Sequence, residues 1–167
     1  MAQTALRGNP VHTRGDLPAP GQKAPAFTLT KADLSPLSSA DLAGRTIVLN
    51  IFPSIDTAVC AQSVRTFNER AAGLDGVTVV CASADLPFAL GRFCGAEGIE
   101  NVEVGSTFRN PEFLDDYGVG MVDGPLAGLC ARSVVVIGPD GVVRHSELVP
   151  EIAQEPDYDA ALAAATG

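Results

Sequence analysis

The pattern of hydrophobic and polar positions changes period at Pro53. Thr46 to Phe52 is a β-branched and apolar run of the kind that a strand buried on both faces needs, which makes it the expected central strand. Beyond Pro53, Val64, Phe67, Ala71 and Leu74 recur at i, i+3, i+7 and i+10, the spacing of one helical face, and predict a helix from about Ala58 to Gly73. Val77 to Ala82 reads as a second buried strand. Asp85 as an expected N-cap, Pro87 near the first helical position and stop signals at Gly95 and Gly98 then frame a short helix, which carries Cys94 near its C-terminal end.

The remaining signals are shorter. Turn formers at Gly8-Asn9-Pro10, Gly15-Asp16 and Pro18 to Gly21 mark residues 1–25 as an N-terminal hairpin or extended arm. Ala26 to Thr30 alternates as an edge strand does, and Leu34 to Gly44 reads as a loop with a short helical turn. Asn101 to Val104 is a third strand and Asn110 to Tyr117 a further helical turn or two. Ser133 to Ile137 and Gly141 to His145 are strands joined through the hairpin signal Gly138-Pro139-Asp140-Gly141, and Pro156 to Ala165 closes as an alanine-rich helix. Strand, helix, strand, helix, strand pair, helix implies an α/β fold: a mixed sheet covered on both faces. That order is compatible with a thioredoxin-like fold, and equally with other small α/β sandwiches.

Composition narrows the picture. With 167 residues, 46% hydrophobic and 19% charged, the chain suits one ordinary globular domain over residues 1–167. A net charge of −9 repels phosphate backbones and anionic lipid, so neither nucleic acid nor a membrane is the expected partner. The first 25 residues hold no apolar run of signal-peptide length, and a cytoplasmic setting is expected. There the four cysteines, Cys60, Cys81, Cys94 and Cys130, do not suggest a structural disulfide framework. No Cys-x-x-Cys occurs, and His12 and His145 lie far from every cysteine in sequence, so no metal site and no cofactor is expected.

Chemistry concentrates in Pro53 to Cys60, where a proline turn leaves a buried strand and enters a helix whose first turn holds a cysteine. Orphan backbone N–H groups and the positive end of the helix dipole favour a thiolate there. Thr57, three residues earlier, can bring its hydroxyl within reach of the sulfur, and a nearby cation would complete a site able to polarise a peroxide O–O bond.

These residues fit the pattern Pro-x-x-x-Thr-x-x-Cys, in which the chain resembles the peroxiredoxins. The run Asn50 to Thr57, with Val59-Cys60 and Ser63-Val64-Arg65, is similar to the bacterial thiol peroxidase branch, atypical 2-Cys enzymes. So are Ser83 to Phe88, Arg92 to Gly98, Asp123 to Leu126 and Glu151 to Pro156, and the resemblance spans nearly the whole chain. It implies a thioredoxin-like peroxiredoxin fold and a homodimer packed near the active site. It also implies reduction of hydrogen peroxide and alkyl hydroperoxides to water and alcohols. Cys60 would be the peroxidatic cysteine, oxidised to a sulfenic acid. Thr57 would orient the peroxide, Pro53 would shield the thiolate, and Arg132 would stabilise both the thiolate and the leaving oxygen. Cys94 would resolve the sulfenic acid into an intrachain Cys60–Cys94 disulfide that thioredoxin reduces. A disulfide needs Cα atoms within roughly 7 Å. The two cysteines are 34 residues apart on different helices, so local unwinding is expected, aided by Gly91, Gly95 and Gly98.

Other readings compete. Cys81, inside Val79-Val80-Cys81-Ala82, reads as a packed strand residue. Cys130 stands where that family has a plain apolar or small residue; packing is the favoured reading. Arg109 could assist the site but reads better as a surface cation. A Cys60–His145 hydrolase is allowed by spacing alone. A disulfide reductase would carry the paired Cys-x-x-Cys, whereas Thr57 holds that position here, and a peroxide sensor would use the same thiol chemistry without turnover.

Overall fold

Strand β5 (Thr46–Ile51) is the member on which the sheet is laid, and all six of its residues are buried. The computed structural model describes residues 1–167. It pairs β5 in parallel with β6 (Val77–Ser83) and antiparallel with β8 (Ser133–Ile137). Beyond β6 lies β7 (Glu103–Ser106), parallel to it, and then β3 (Thr28–Thr30) and β4 (Pro36–Ser38), each antiparallel to its neighbour. Beyond β8 lies β9 (Val143–Leu148), again antiparallel. The order is therefore β4-β3-β7-β6-β5-β8-β9, a mixed sheet, with β1 (Gln3–Leu6) and β2 (Asn9–His12) as a separate hairpin. No helix is long and apolar enough to cross a membrane.

Alternation along the strands divides the interior in two. Val48 and Phe52 of β5 and its extension, Val79 and Cys81 of β6, and Val134 and Val136 of β8 face α1 (Ala58–Ala71), α2 (Pro87–Glu97) and α4 (Tyr158–Thr166). Ile47, Leu49, Ile51, Val80 and Val135 face the other way, where Phe27, Phe113 of α3 (Glu112–Asp116) and Tyr117 cover them. A slip of one residue would exchange these sets and expose side chains worth about 1.5–3 kcal/mol each when buried, so the register at the end of β5 is fixed. The loop that leads into α1 leaves the sheet from that fixed end.

Several boundaries differ from the sequence expectation for identifiable reasons. Of the strand expected at Ala26 to Thr30, only Thr28–Thr30 forms, as β3, and not at the edge. The edge is β4, three residues from the segment read as a loop, whose Pro36 is tolerated there because an edge strand need not donate on both sides. The helical turn expected in that segment is Ser39–Leu42. The N-terminal hairpin turns at Arg7-Gly8, both at positive φ (51° and 82°), and Asn9 and Pro10 belong to β2. Helix α1 ends at Ala71, two residues early, because Gly73 turns to φ 80°. The strand expected at Asn101 begins at Glu103, and β9 runs on to Leu148.

The N-terminal arm is seated by a close approach at Gly118, whose φ is +65°. A Cβ there would lie 2.4 Å from the Asp16 carbonyl oxygen and 2.6 Å from the Asp16 nitrogen. Gly118→Ala therefore combines backbone strain with a backbone clash, and urea unfolding should show a loss of about 2–4 kcal/mol. A loss below about 0.5 kcal/mol, within the scatter of surface substitutions, would mean that the arm is not held by this contact.

Candidate active site

Between β5 and α1 the chain runs through a loop tied to the end of β6. The Asp85 carboxylate accepts from the Ser54 hydroxyl (2.8 Å), the Ile55 N–H (2.7 Å) and the Ser83 hydroxyl (2.6 Å). Asp85 was expected to cap α2. The cap position belongs instead to Leu86, which makes no side-chain cap, with Pro87 at the helix start. The carboxylate goes to the loop because three donors there offer more than one frayed N–H would. Pro53 is buried, and Thr57 sits at the N-cap of α1 in extended conformation, accepting the first helical bond from Ala61. Cys60 follows in the first turn.

Cys60 is fully buried and is held from two sides. The Ser63 hydroxyl donates to its carbonyl (2.7 Å), and Asn50 Nδ2 donates to that hydroxyl (3.1 Å), anchoring the first turn of α1 to the central strand. On the sulfur side, Arg132 Nη2 donates to Sγ at 3.2 Å. Arg132 is 2% exposed, its Nε donates to the Ile152 carbonyl (2.7 Å), and its Nη1 is buried without a partner. None of the ion pairs in the structure involves Arg132. A buried guanidinium lacking a carboxylate is costly, and the Cys60 sulfur is the group in hydrogen-bond contact that can supply negative charge.

A cleft of about 460 Å³ reaches Arg132, with Cys60 buried behind its lining. Pro53, Thr57 and Arg132 are among its lining residues, and Leu6, Leu126 and Ile152 supply an apolar wall. Thr57 does not bond the sulfur as expected: its hydroxyl donates to the Ser54 carbonyl (2.9 Å), which leaves its oxygen lone pairs free to accept.

The structure thus brings Pro53, Thr57, Cys60 and Arg132 together, but not Cys94. All four cysteines are free thiols. Cys94 is half-buried on α2, three residues before its end, and burial raises its thiol above the ordinary value. The segments carrying Cys60 and Cys94 are fastened to each other. Asp56 pairs with Arg92 (2.9 Å), Arg65 pairs with Glu97, and the Arg65 guanidinium lies 5.5 Å above the Phe93 ring. Cys81 and Cys130 are both fully buried in the cores, and burial pushes each thiol up to about 12. Arg109 reaches only the Leu34 carbonyl (3.5 Å) and its neighbour Phe108, as a surface cation would. His145, in β9 opposite Val136, makes no hydrogen bond to Cys60. Sequence reasoning missed Asp85 in its actual role, Asn50, Ser63 and the Ile152 carbonyl. A lone amide in an apolar strand was a readable signal for Asn50, whereas a backbone carbonyl leaves no trace in side-chain pattern.

Comparison with known proteins bears on this arrangement. Residues 19–162 match the family model Redoxin. The chain is 63% identical over 164 residues to a thiol peroxidase of Mycobacterium tuberculosis, covering 98% of each, and 56% identical over 164 residues to a thiol peroxidase of Corynebacterium glutamicum, covering 98% of this chain and 99% of that one. Among solved structures, a peroxiredoxin-like protein from Aquifex aeolicus superposes with a TM-score of 0.92 at 38% identity, covering 98% of this chain and 96% of that one. A thiol peroxidase from Chromobacterium violaceum has the same fold, with a TM-score of 0.85 at 21% identity over 95% and 91% of the two chains.

The two deeply buried thiols give a pH signature. Below about pH 9, their ordinary value, both are neutral folded or unfolded; between about 9 and 12 only the unfolded chain would release their protons. The folded state then binds more protons, so stability falls as pH rises through that window. The urea midpoint of the Cys81→Ala/Cys130→Ala variant should fall less steeply there than that of the parent protein. Parallel slopes would show that the two thiols ionise as easily folded as unfolded.

Proposed function

The chain belongs to the Redoxin family and is a thiol-dependent peroxidase, and from that premise we propose that Cys60 is its peroxidatic cysteine and Cys94 its resolving cysteine. One observation carries the proposal: a buried arginine that lines the cleft, unpaired with any carboxylate, donates to Cys60 Sγ and keeps its Nη1 without a hydrogen-bond partner.

In this reading the Cys60 thiolate attacks the distal oxygen of a hydroperoxide. The S–O bond forms as the O–O bond breaks, the sulfur becomes a sulfenic acid, and the leaving alkoxide or hydroxide takes a proton to become alcohol or water. Arg132 Nη2 holds the attacking sulfur and Nη1 meets the charge that grows on the leaving oxygen, a donor already in place and shielded from water. Thr57 accepts the peroxide O–H, because its own proton is committed to Ser54. Buried Pro53 lines the cleft with no N–H of its own and keeps water from the sulfur. The apolar wall of Leu6, Leu126 and Ile152 favours alkyl hydroperoxides alongside hydrogen peroxide.

The Cys94 thiol then condenses with the sulfenic acid, releasing water and leaving an intrachain Cys60–Cys94 disulfide. Thioredoxin, whose dithiol is oxidised as this disulfide is reduced, is the proposed reductant, in keeping with a cytoplasmic setting where thiols are kept reduced. The chain acts as one domain over residues 1–167 and works as a homodimer packed near the active site. The dimer reading is supported by exposed Leu86 and Phe88 at the start of α2 and exposed Phe108 after β7.

Consumption of hydrogen peroxide and of an alkyl hydroperoxide with thioredoxin, its reductase and NADPH tests this. Cys60→Ser should abolish turnover, and surviving turnover would sink the assignment. Cys94→Ser should react once with peroxide and then stall, and unoxidised Cys94 after turnover of the parent enzyme would remove it from the mechanism. Mapping of the oxidised protein should find a Cys60–Cys94 link; a Cys60–Cys130 link would overturn the choice of resolving residue. Arg132→Met should slow the peroxide step by roughly a hundred- to a thousand-fold, the usual cost of one lost transition-state donor.

A further inference from the structure

We propose that Glu151 is a positioning residue for Arg132, gripping the turn of the N-terminal hairpin so that the adjoining Ile152 carbonyl holds the guanidinium against Cys60. The inference rests on the roles proposed above for Cys60 and Arg132.

The Glu151 carboxylate takes both backbone donors of the β1–β2 turn. Its Oε1 accepts from the Arg7 N–H at 2.8 Å and its Oε2 from the Gly8 N–H at 3.1 Å. Arg7 stands at φ +51°, a conformation a non-glycine residue seldom takes unless something holds it, and the carboxylate is what holds it. The next residue repeats the link one step inward: Ile152 N–H donates to the Ala5 carbonyl of β1 (2.8 Å), and the Ile152 carbonyl accepts from Arg132 Nε (2.7 Å). Two residues before Glu151, the Val149 N–H donates to the Arg132 carbonyl (3.1 Å), while the Val149 carbonyl accepts from the Thr4 hydroxyl (2.7 Å). The segment from Val149 to Ile152 therefore holds Arg132 by main chain and side chain at once, and the hairpin fixes that segment at Thr4, Ala5, Arg7 and Gly8.

The direction of force in this arrangement is specific. Arg132 has no carboxylate to orient it; its Nε has one acceptor, a main-chain carbonyl in a segment without regular secondary structure. The position of such a carbonyl is only as well defined as the contacts that pin its segment. Of those contacts, the Glu151 pair is the charge-assisted one. These two N–H groups also hold the Glu151 carboxyl below its ordinary value of 4.5, so the grip is complete above that pH and is lost as the group protonates on acidification.

The test uses the full-length protein. Stopped-flow oxidation of Cys60 by hydrogen peroxide is followed as a function of pH for Glu151→Ala, Glu151→Gln and, as a control of equal surface character, Arg70→Ala, which breaks the exposed α1–α4 pair with Asp159. Glu151→Ala should slow Cys60 oxidation about ten- to a hundred-fold and displace its pH profile, as a small misplacement of a catalytic group does. Glu151→Gln, which keeps one acceptor for two donors, should fall between the two. Reduction of the disulfide by thioredoxin should not change, and Arg70→Ala should match the parent protein throughout. A Glu151→Ala protein that melts earlier but oxidises Cys60 at the parental rate with the parental pH profile would overturn the proposal, because the residue would then be merely structural. If Glu151→Ala does not fold, Glu151→Gln decides by the same criteria. Turnover persisting in Cys60→Ser would overturn the peroxidatic reading itself, whereas parental behaviour of the Glu151 variants would overturn only this inference.

Discussion

Arg132 is a guanidinium taken almost wholly out of water and given no carboxylate, with a sulfur and a main-chain carbonyl as its partners. Burying such a charge costs several kcal/mol unless something compensates. Its Nη2 finds the Cys60 sulfur and its Nε the Ile152 carbonyl, while Nη1 is left without a partner. The rest of the fold can be understood as supplying the conditions for that contact. Strand β8 presents Arg132 just before its first residue, β5 leads through the loop after Ile51 into the first turn of α1 where Cys60 lies, and the antiparallel pairing of the two strands places Ile51 opposite Ser133. Rigid neighbours in the sheet thus set the separation of two groups that are 72 residues apart in sequence.

The same packing that protects the sulfur stands in the way of the proposed second half of the reaction. A fully buried Cys60 cannot meet a cysteine on another helix without part of the first turn of α1 or the end of α2 letting go. The contacts that would have to open are the weak ones. The Asp56–Arg92 and Arg65–Glu97 pairs lie at the surface, where such pairs contribute about 0.2–1 kcal/mol each. Moving β5 would instead uncover side chains on both faces of the sheet. The energetic gradient runs from a rigid strand to a loosely fastened helix end, and the proposed local unwinding falls where that gradient is lowest.

Much of this was legible in the sequence, and the part that was not has a common cause. The period change at Pro53 marked the strand, the loop and the helix correctly, because burial on two faces and burial on one stripe leave different signatures. Arg132 could be chosen from the family resemblance, though nothing in its own neighbourhood of the chain announces a catalytic cation. Asp85 shows the limit of local rules: its position before Pro87 is that of a helix cap, yet three donors from β6 and from a loop about thirty residues away outbid the helix end. Thr57 shows the same for rotamers, since its hydroxyl turned to the nearby Ser54 carbonyl. The Ile152 carbonyl was beyond reach altogether, because any residue carries one.

Among the three remaining thiols, the proposal of Cys94 as the partner rests on mechanics. Cys81 lies on β6, paired to β5 on one side and β7 on the other, and its side chain accepts a weak contact from Asn50 (3.7 Å). To bring it to Cys60 the central sheet would have to part. Cys130 is buried in the opposite core, across the sheet from α1, and its main chain is bridged to Gly120. Cys94 differs in kind: it is half-exposed, sits in the last turn of a helix that contains Gly91 and Gly95, and its carbonyl takes the capping bonds from Gly98 and Ile99. Loosening that end breaks a glycine-stopped helix terminus and one or two surface ion pairs, while either alternative breaks a sheet. The proposed resolving partner would have to travel, and Cys94 rides on an element that can move without dismantling the sheet.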